Sequence, residues 1–277
     1  QLNALIQLNI THCKFPAADI SIIGSLPELS QLTLSDCSLS TIAGLENAVK
    51  LTVLDLSNNT IRNLEPLQNL SGLTQINLAH NALTSLNALS GLSVLGELDV
   101  SYNALASLSP LSSCIRLTSL DASYNRLTDV SGAAELPLLA TLKLDSNALT
   151  DVSALASATT LTELRFSNNQ VTDISALSTL NGLELLDFSY NSVESLPGWS
   201  SDLKIRVIDG SHNALTSIDV LKNAADLTYV YMDYNQITSV DALAELFHLV
   251  QVNVYGNEVS DVSKLTDHNI IVNYDPT

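Results

Sequence analysis

The sequence predicts an α/β solenoid: a right-handed superhelix with a parallel concave sheet of about twelve short strands and 3₁₀, short helical or irregular turns on its convex side. Three observations predict it. A 22-residue unit repeats in one register, its first apolar residue falling at Leu29, Leu51, Leu73, Leu95, Leu117, Leu139, Leu161, Leu183, Ile205, Leu227, Leu249 and Ile271. Within the units apolar residues recur at positions 1, 4, 6 and 11, and usually at 14, 17 and 20. Position 9 is Asn in ten of them. No such unit can bury its apolar face alone, whereas stacked units close one continuous core.

Each element follows from its side chains. Positions 4 and 6 alternate with polar positions 3, 5 and 7, which makes a short strand with one face in the core. In the unit 51–72 these apolar residues are Leu54 and Leu56. A strand through Leu5, Leu8 and Ile10 precedes the register, and a closing strand occupies 271–274. After each strand the chain turns, and an Asn amide there can satisfy backbone groups that would otherwise be buried unpaired. This ladder comprises Asn59, Asn81, Asn103, Asn125, Asn147, Asn169, Asn191, Asn213, Asn235 and Asn257, preceded by Cys13 and Cys37, whose thiols are weak donors. Positions 15 and 16 carry pairs such as Glu65-Pro66, Ser109-Pro110, Ser153-Ala154 and Asp219-Val220, which are helix-start signals at the cap and first turn. Too little chain remains before the next strand for more than one or two turns. L-x-x-L-x-L-x-x-N-x-L inside a fixed period is the signature of a leucine-rich repeat. Residues 1–277 therefore read as a single domain with repeats from about residue 5 and the 22-residue register over 29–270.

The turns after the Asn are more particular. Residues 147–155 read Asn-Ala-Leu-Thr-Asp-Val-Ser-Ala-Leu, and 169–177 read Asn-Gln-Val-Thr-Asp-Ile-Ser-Ala-Leu; 235–243 and 257–265 are near copies. This resembles the internalin type of repeat. The resemblance implies non-enzymatic binding of a protein or glycoprotein by the concave face of a bacterial secreted or surface adhesion protein. The repeat length also resembles the regulators of protein phosphatase 1, which would imply a cytoplasmic regulatory scaffold; a structural spacer is the third reading. The Thr-Asp-Ile-Ser-Ala-Leu wording, the scarcity of lysine and the Ala/Ser-rich convex side favour the first. Gln1 lies close to the first strand and Thr277 follows the last, so terminal caps are expected to be absent, the chain to be a piece of a longer one, and its ends to be open to self-association.

Composition narrows the function. With 11 Lys and Arg against 29 Asp and Glu, the net charge is −18, which excludes nucleic acid and anionic membrane as partners. No apolar run approaches a membrane span, so no membrane insertion is expected. Cys114 occupies a core position, and Cys13 and Cys37 stand one turn apart, within reach of a disulfide but read here as free thiols. His12, His80 and His212 share position 8, too many turns apart to cooperate, and no nucleophile–base set, metal site or phosphate-cradling loop can be assembled. The chain is expected to be no enzyme and to need no cofactor or metal.

The concave face carries the candidates. Position 5, pointing outward from each strand, places Asp187 and Asp209 side by side, where like charges destabilise. Lys143 and Arg165, between this pair and the similar Asp99 and Asp121, are expected to relieve both through salt bridges. Seven of the eight tyrosines map to this face or its edge. Packing beside the ladder accounts for Tyr102, Tyr124, Tyr190 and Tyr234 but not for Tyr229, Tyr231 and Tyr255. The predicted binding set is thus Tyr190, Tyr229, Tyr231, Tyr234, Tyr255, His212, Asp187, Asp209, Arg165 and Lys143, tyrosine offering rigid contact area with a polar end. One unit is irregular: Asp202 falls on apolar position 20, the next strand carries Gly210 on the core side, and Trp199 is expected to fold in and fill the space.

Overall fold

A computed structural model describes residues 2–15 and 20–275; Gln1, Pro276 and Thr277 lie outside the described residues. Residues 1–139 pack as one compact unit and residues 140–277 as another. The first contains strands β1 (Gln7–Thr11), β2 (Gln31–Ser35), β3 (Val53–Asp55), β4 (Gln75–Asn77), β5 (Glu97–Asp99) and β6 (Ser119–Asp121). All are parallel in chain order, and each repeat residue pairs with its equivalent, as in Leu32, Leu54, Ile76, Leu98 and Leu120. The second contains β7 (Thr141–Lys143), β8 (Glu163–Arg165), β9 (Leu185–Asp187), β10 (Val207–Asp209), β11 (Tyr229–Tyr231), β12 (Gln251–Asn253) and β13 (Ile271–Asn273), paired in the same way. The described residues thus hold thirteen strands: the expected strand before the register, β1, and one for each of the twelve register positions from Leu29 to Ile271.

In both units the core is the leucine pattern itself. Leu51, Leu56, Ile61, Leu67 and Leu70 are completely buried, as are Leu161, Leu164, Val171, Ile174 and Leu177. The turn after each strand is held by the Asn. Asn59 accepts the N–H groups of Cys37 and Leu39 at 3.1 and 2.9 Å, and its amide donates to the carbonyls of Leu34, Leu56 and Ser57 at 2.8–3.1 Å. Asn103 and Asn191 repeat the arrangement, each tying its own turn to the previous one. Cys37 stands in the same place, and its thiol reaches the carbonyls of Ile10 and Ser35 at 3.4 Å. All three cysteines are free thiols.

Short 3₁₀ segments such as Glu65–Leu67, Ser153–Ser157 and Asp219–Asn223 line the other side, with one-turn α-helices at Ser21–Gly24, Ser131–Ala134 and Ser263–Thr266. Their start signal lies two residues earlier than expected. The side chain at position 13, not 15, does the capping: Asp129, Asp151, Asp173 and Asp261 each accept the N–H of a Ser two residues on, at 2.7–3.0 Å. Asn63, Ser107 and Ser217 do the same. This is the i to i+2 bond of an Asx or Ser/Thr turn, which a short side chain makes without a longer helix to cap.

The irregular unit departs from expectation too. Trp199 does fold inward, but it occupies the regular core position 17 and donates its indole N–H to the carbonyl of Leu177 at 3.0 Å. The space at Gly210 is filled instead by the Phe188 ring and the Met232 sulfur, which an added Cβ would meet at 2.4 and 2.8 Å. Asp202 stays in solvent, and Leu203 turns into the core in its place.

Candidate functional site

On β8–β12 the outward side chains form rows set by the pairing. One runs Arg165, Asp187, Asp209, Tyr231, Asn253; the other runs Glu163, Leu185, Val207, Tyr229, Gln251. All ten are half-buried. Lys143 lies beside Arg165 on β7. Predicted residues are thus brought together on β9–β11, while Lys143 and Arg165 stand at the far end of the rows.

The position-5 acids also have a local task. Asp187 accepts the N–H and hydroxyl of Ser189 at 3.0 and 2.8 Å, and Asp209 accepts the N–H of Ser211 at 2.9 Å. Asp55 and Asp99 hold Ser57 and Ser101 in the same way. Where position 5 is Arg165 or Asn253, an Asp at position 7 of the preceding repeat takes over. Asp145 binds the Ser167 N–H at 2.8 Å, and Asp233 binds that of Tyr255 at 2.7 Å. The expected salt bridge from Arg165 to Asp187 does not form, since Arg165 is held by Glu163, two residues earlier on its own strand, at 2.6 Å, although its charge still favours the ionised Asp187. Side chains i and i+2 share a face, so this partner needs no reach across strands. Burial pushes the Asp187 carboxyl above its ordinary range against the Ser189 bonds, and the charge of Asp209 adds to the rise. Burial likewise raises Asp233.

Position 8 holds a second feature. His80, Tyr102, Tyr124, Tyr190, His212 and Tyr234 all have φ between 54° and 56°, the left-handed region that bulky residues avoid. Their rings stack on one another. His80–Tyr102 and Tyr102–Tyr124 have centroids 3.9 and 4.1 Å apart in the first unit. Tyr190–His212 and His212–Tyr234 stand at 4.1 and 4.4 Å in the second, and Tyr255 meets Tyr234 edge-on at 5.6 Å. Identical backbone in successive repeats sets flat rings in register, and each stacked pair contributes about 0.5–1.5 kcal/mol. The predicted Tyr190, His212, Tyr234 and Tyr255 therefore form one aromatic run, with Tyr190 56% exposed.

Sequence reasoning missed two members of the face, Leu185 and Val207. They are apolar yet point outward beside Tyr229 on β9–β11 and line a shallow cavity with Glu184, Arg206 and Thr228. The signal was present in Leu185-Leu186 and Val207-Ile208, where two apolar residues in succession break the alternation and one must face out. The described residues contain no group of three or more His, Cys, Asp or Glu able to hold a metal, and no helix long and apolar enough to cross a membrane.

The leucine-rich-repeat family model matches residues 49–105, and a model of two leucine-rich-repeat copies matches 159–201. The chain is a leucine-rich-repeat protein. No curated protein matches it in sequence. Among solved structures, this leucine-rich-repeat protein is similar to an internalin (inlF) from Listeria monocytogenes, with a TM-score of 0.69 and 24% identity over 90% of this chain and 87% of that one. The leucine-rich-repeat domain of APL1B gives a TM-score of 0.74 at 21% identity over 98% and 88% of the two chains. The ectodomain of the Arabidopsis thaliana receptor kinase GASSHO1/SCHENGEN3, solved in complex with CASPARIAN STRIP INTEGRITY FACTOR 2, gives 0.74 at 23% over 95% of this chain. The chain spans only 36% of that ectodomain. At these identities the likeness is one of fold, and the 22-residue repeat resembles the internalin type.

Proposed function

We propose that this protein is a non-enzymatic recognition module that grips a protein, or the glycans on one, with the outer sheet face of β9–β12, as part of a bacterial secreted or surface adhesion protein. One observation carries the reading: Leu185, Val207, Tyr229 and Tyr231 stand outward beside Asp187 and Asp209 on adjacent strands, only half-buried by their own repeat neighbours. Aromatic and apolar area ringed by polar groups is the composition of interface centres. The plant ectodomain that shares this fold was solved with a bound factor, which supports a protein partner. The internalin-type wording of residues 147–155 and 169–177 supports the bacterial surface setting.

The test begins with affinity capture and mass spectrometry to identify a partner, followed by titration. Replacing Tyr229, Tyr231 or Tyr255 with Ala should each cost about 2 kcal/mol of binding, while folding changes by no more than about 0.5–1.5 kcal/mol, the worth of an aromatic contact such as that of Tyr255 with Tyr234. Lys222→Ala and Glu258→Ala, at exposed sites outside this face, should bind normally. Lys264 is unsuitable as a control because it pairs with Asp241 at 2.5 Å. Unchanged affinity in the triple tyrosine variant, with folding intact, rejects the face. Surface labelling of the source cells checks the setting.

A further inference from the structure

We propose that the outer face of β9–β11 receives an arginine side chain of the protein partner, its aliphatic stem on Val207 and Tyr229 and its guanidinium against the Tyr231 ring and the carboxylates of Asp187 and Asp209. The inference rests on the reading of this face as a protein-binding surface and names the chemistry it selects.

Four observations converge. Asp187, Asp209 and Tyr231 are direct neighbours in the parallel register, so successive groups lie about 4.8 Å apart. In each carboxylate Oδ1 holds the following Ser, and among the described residues nothing donates to the second oxygen. The cation paired to Asp187 in register, Arg165, is hydrogen-bonded to Glu163; its charge still favours the ionised Asp187, but among the described residues neither acid forms a salt bridge. The Tyr229 and Tyr231 rings are parallel to within 1° but 6.4 Å apart between centroids, so they do not cover each other's faces as the position-8 stacks do at 3.9–4.4 Å.

Arginine suits this layout better than lysine. Position 3 lies one two-residue step, about 6.6 Å, from position 5, which matches the stem that arginine lays on apolar surface behind its head group. A planar guanidinium can stack on an aromatic face while its forked N–H groups reach two adjacent carboxylates. The net charge of −18 favours the approach of such a partner. The partly buried state of Asp187, whose ionisation burial already opposes, means that an incoming cation relieves an existing cost.

The test uses capped Gly-Arg-Gly, Gly-Lys-Gly and Gly-citrulline-Gly peptides, titrated into the whole chain carrying isotope-labelled tyrosine. Arginine should shift the Tyr229 and Tyr231 ring signals saturably with a Kd of about millimolar, lysine should bind several-fold more weakly, and citrulline should not bind. The double variant Asp187→Asn/Asp209→Asn should lose at least about tenfold in affinity, or 1.4 kcal/mol. It should stay folded, because Asn77 already holds the Ala79 N–H at 3.0 Å in the equivalent place. Equal binding of citrulline or lysine, shifts confined to other tyrosines, or an unaffected double variant overturns the proposal. If the arginine peptide fails while the tyrosine variants still weaken binding of the captured partner, the arginine receptor falls and the broader reading stands. If those variants leave partner binding intact, the broader reading falls instead.

Discussion

The carboxylate of Asp233 accepts the main-chain N–H of Tyr255, one repeat further along, at 2.7 Å. The same N–H in five other repeats is held by an acid at position 5 of its own strand, as Asp209 holds Ser211. Moving the acid to the preceding repeat leaves position 5 free for Arg165 or Asn253, so the outer face can vary without exposing backbone. Asp233→Ala should therefore lower stability by about 1 kcal/mol, whereas Asp233→Asn, which keeps an acceptor, should lower it by less. Urea melts of the two variants decide this.

The ladder should be costlier to break. Asn103→Ala removes the acceptor for the Leu83 N–H and the donor to the Leu78 and Val100 carbonyls, and should cost about 1–3 kcal/mol. Ser107→Ala removes the cap on Ser109 and should cost about 0.5 kcal/mol. Equal losses in both would reject the ladder's special role.

Left-handed tyrosines pose a balance of strain against stacking. Replacing Tyr102 by Gly should relieve about 1 kcal/mol of backbone strain, yet it removes two stacks, with His80 and Tyr124, worth about 0.5–1.5 kcal/mol each. We expect a net loss. Asn58→Gly, at the same backbone setting with φ 57° and no ring to lose, should be neutral or slightly stabilising. A stabilised Tyr102→Gly protein in thermal melts would show that the stack contributes little.

Gly210→Ala should cost about 1–3 kcal/mol by overpacking against Phe188 and Met232. Combining it with Phe188→Leu should recover part of the loss, because the two side chains share one space. Strictly additive losses would mean that the clash is relieved elsewhere.

Acid titration followed by carboxyl carbon NMR should order the aspartates. Hydrogen bonds from Ser175, backbone first and then side chain, hold Asp173 below its ordinary range, so it titrates late as pH falls. Its stabilising contribution is present above the unfolded pKa of about 3.9 and disappears as pH drops through the lower folded value. Asp187 shows the opposite sign. Its raised pKa means that the folded state binds the proton more tightly, so its contribution is favourable in acid and is lost as pH rises through the folded value. Asp187 titrating below Asp173 would refute at least one of the two assignments.

Leu51, Leu54, Leu56 and Asn59, repeated at one interval, determined the parallel strands, the buried face and the ladder, because a repeat whose apolar residues cannot be buried alone has only stacking open to it. Position 5 was likewise legible as an outward row, since strand side chains alternate, and position 8 as a row beside the Asn ladder. The tertiary structure decided what those rows do. Only stacking of successive repeats brings Tyr190, His212 and Tyr234 ring to ring, as only chain geometry shows Arg165 committed to Glu163 and Asp233 reaching Tyr255. It also decided that Phe188, not Trp199, fills the space at Gly210. Periodicity specifies which face a side chain is on, through the backbone; which neighbour it chooses depends on distances of a few ångströms between repeats, and those exist only once the repeats have packed.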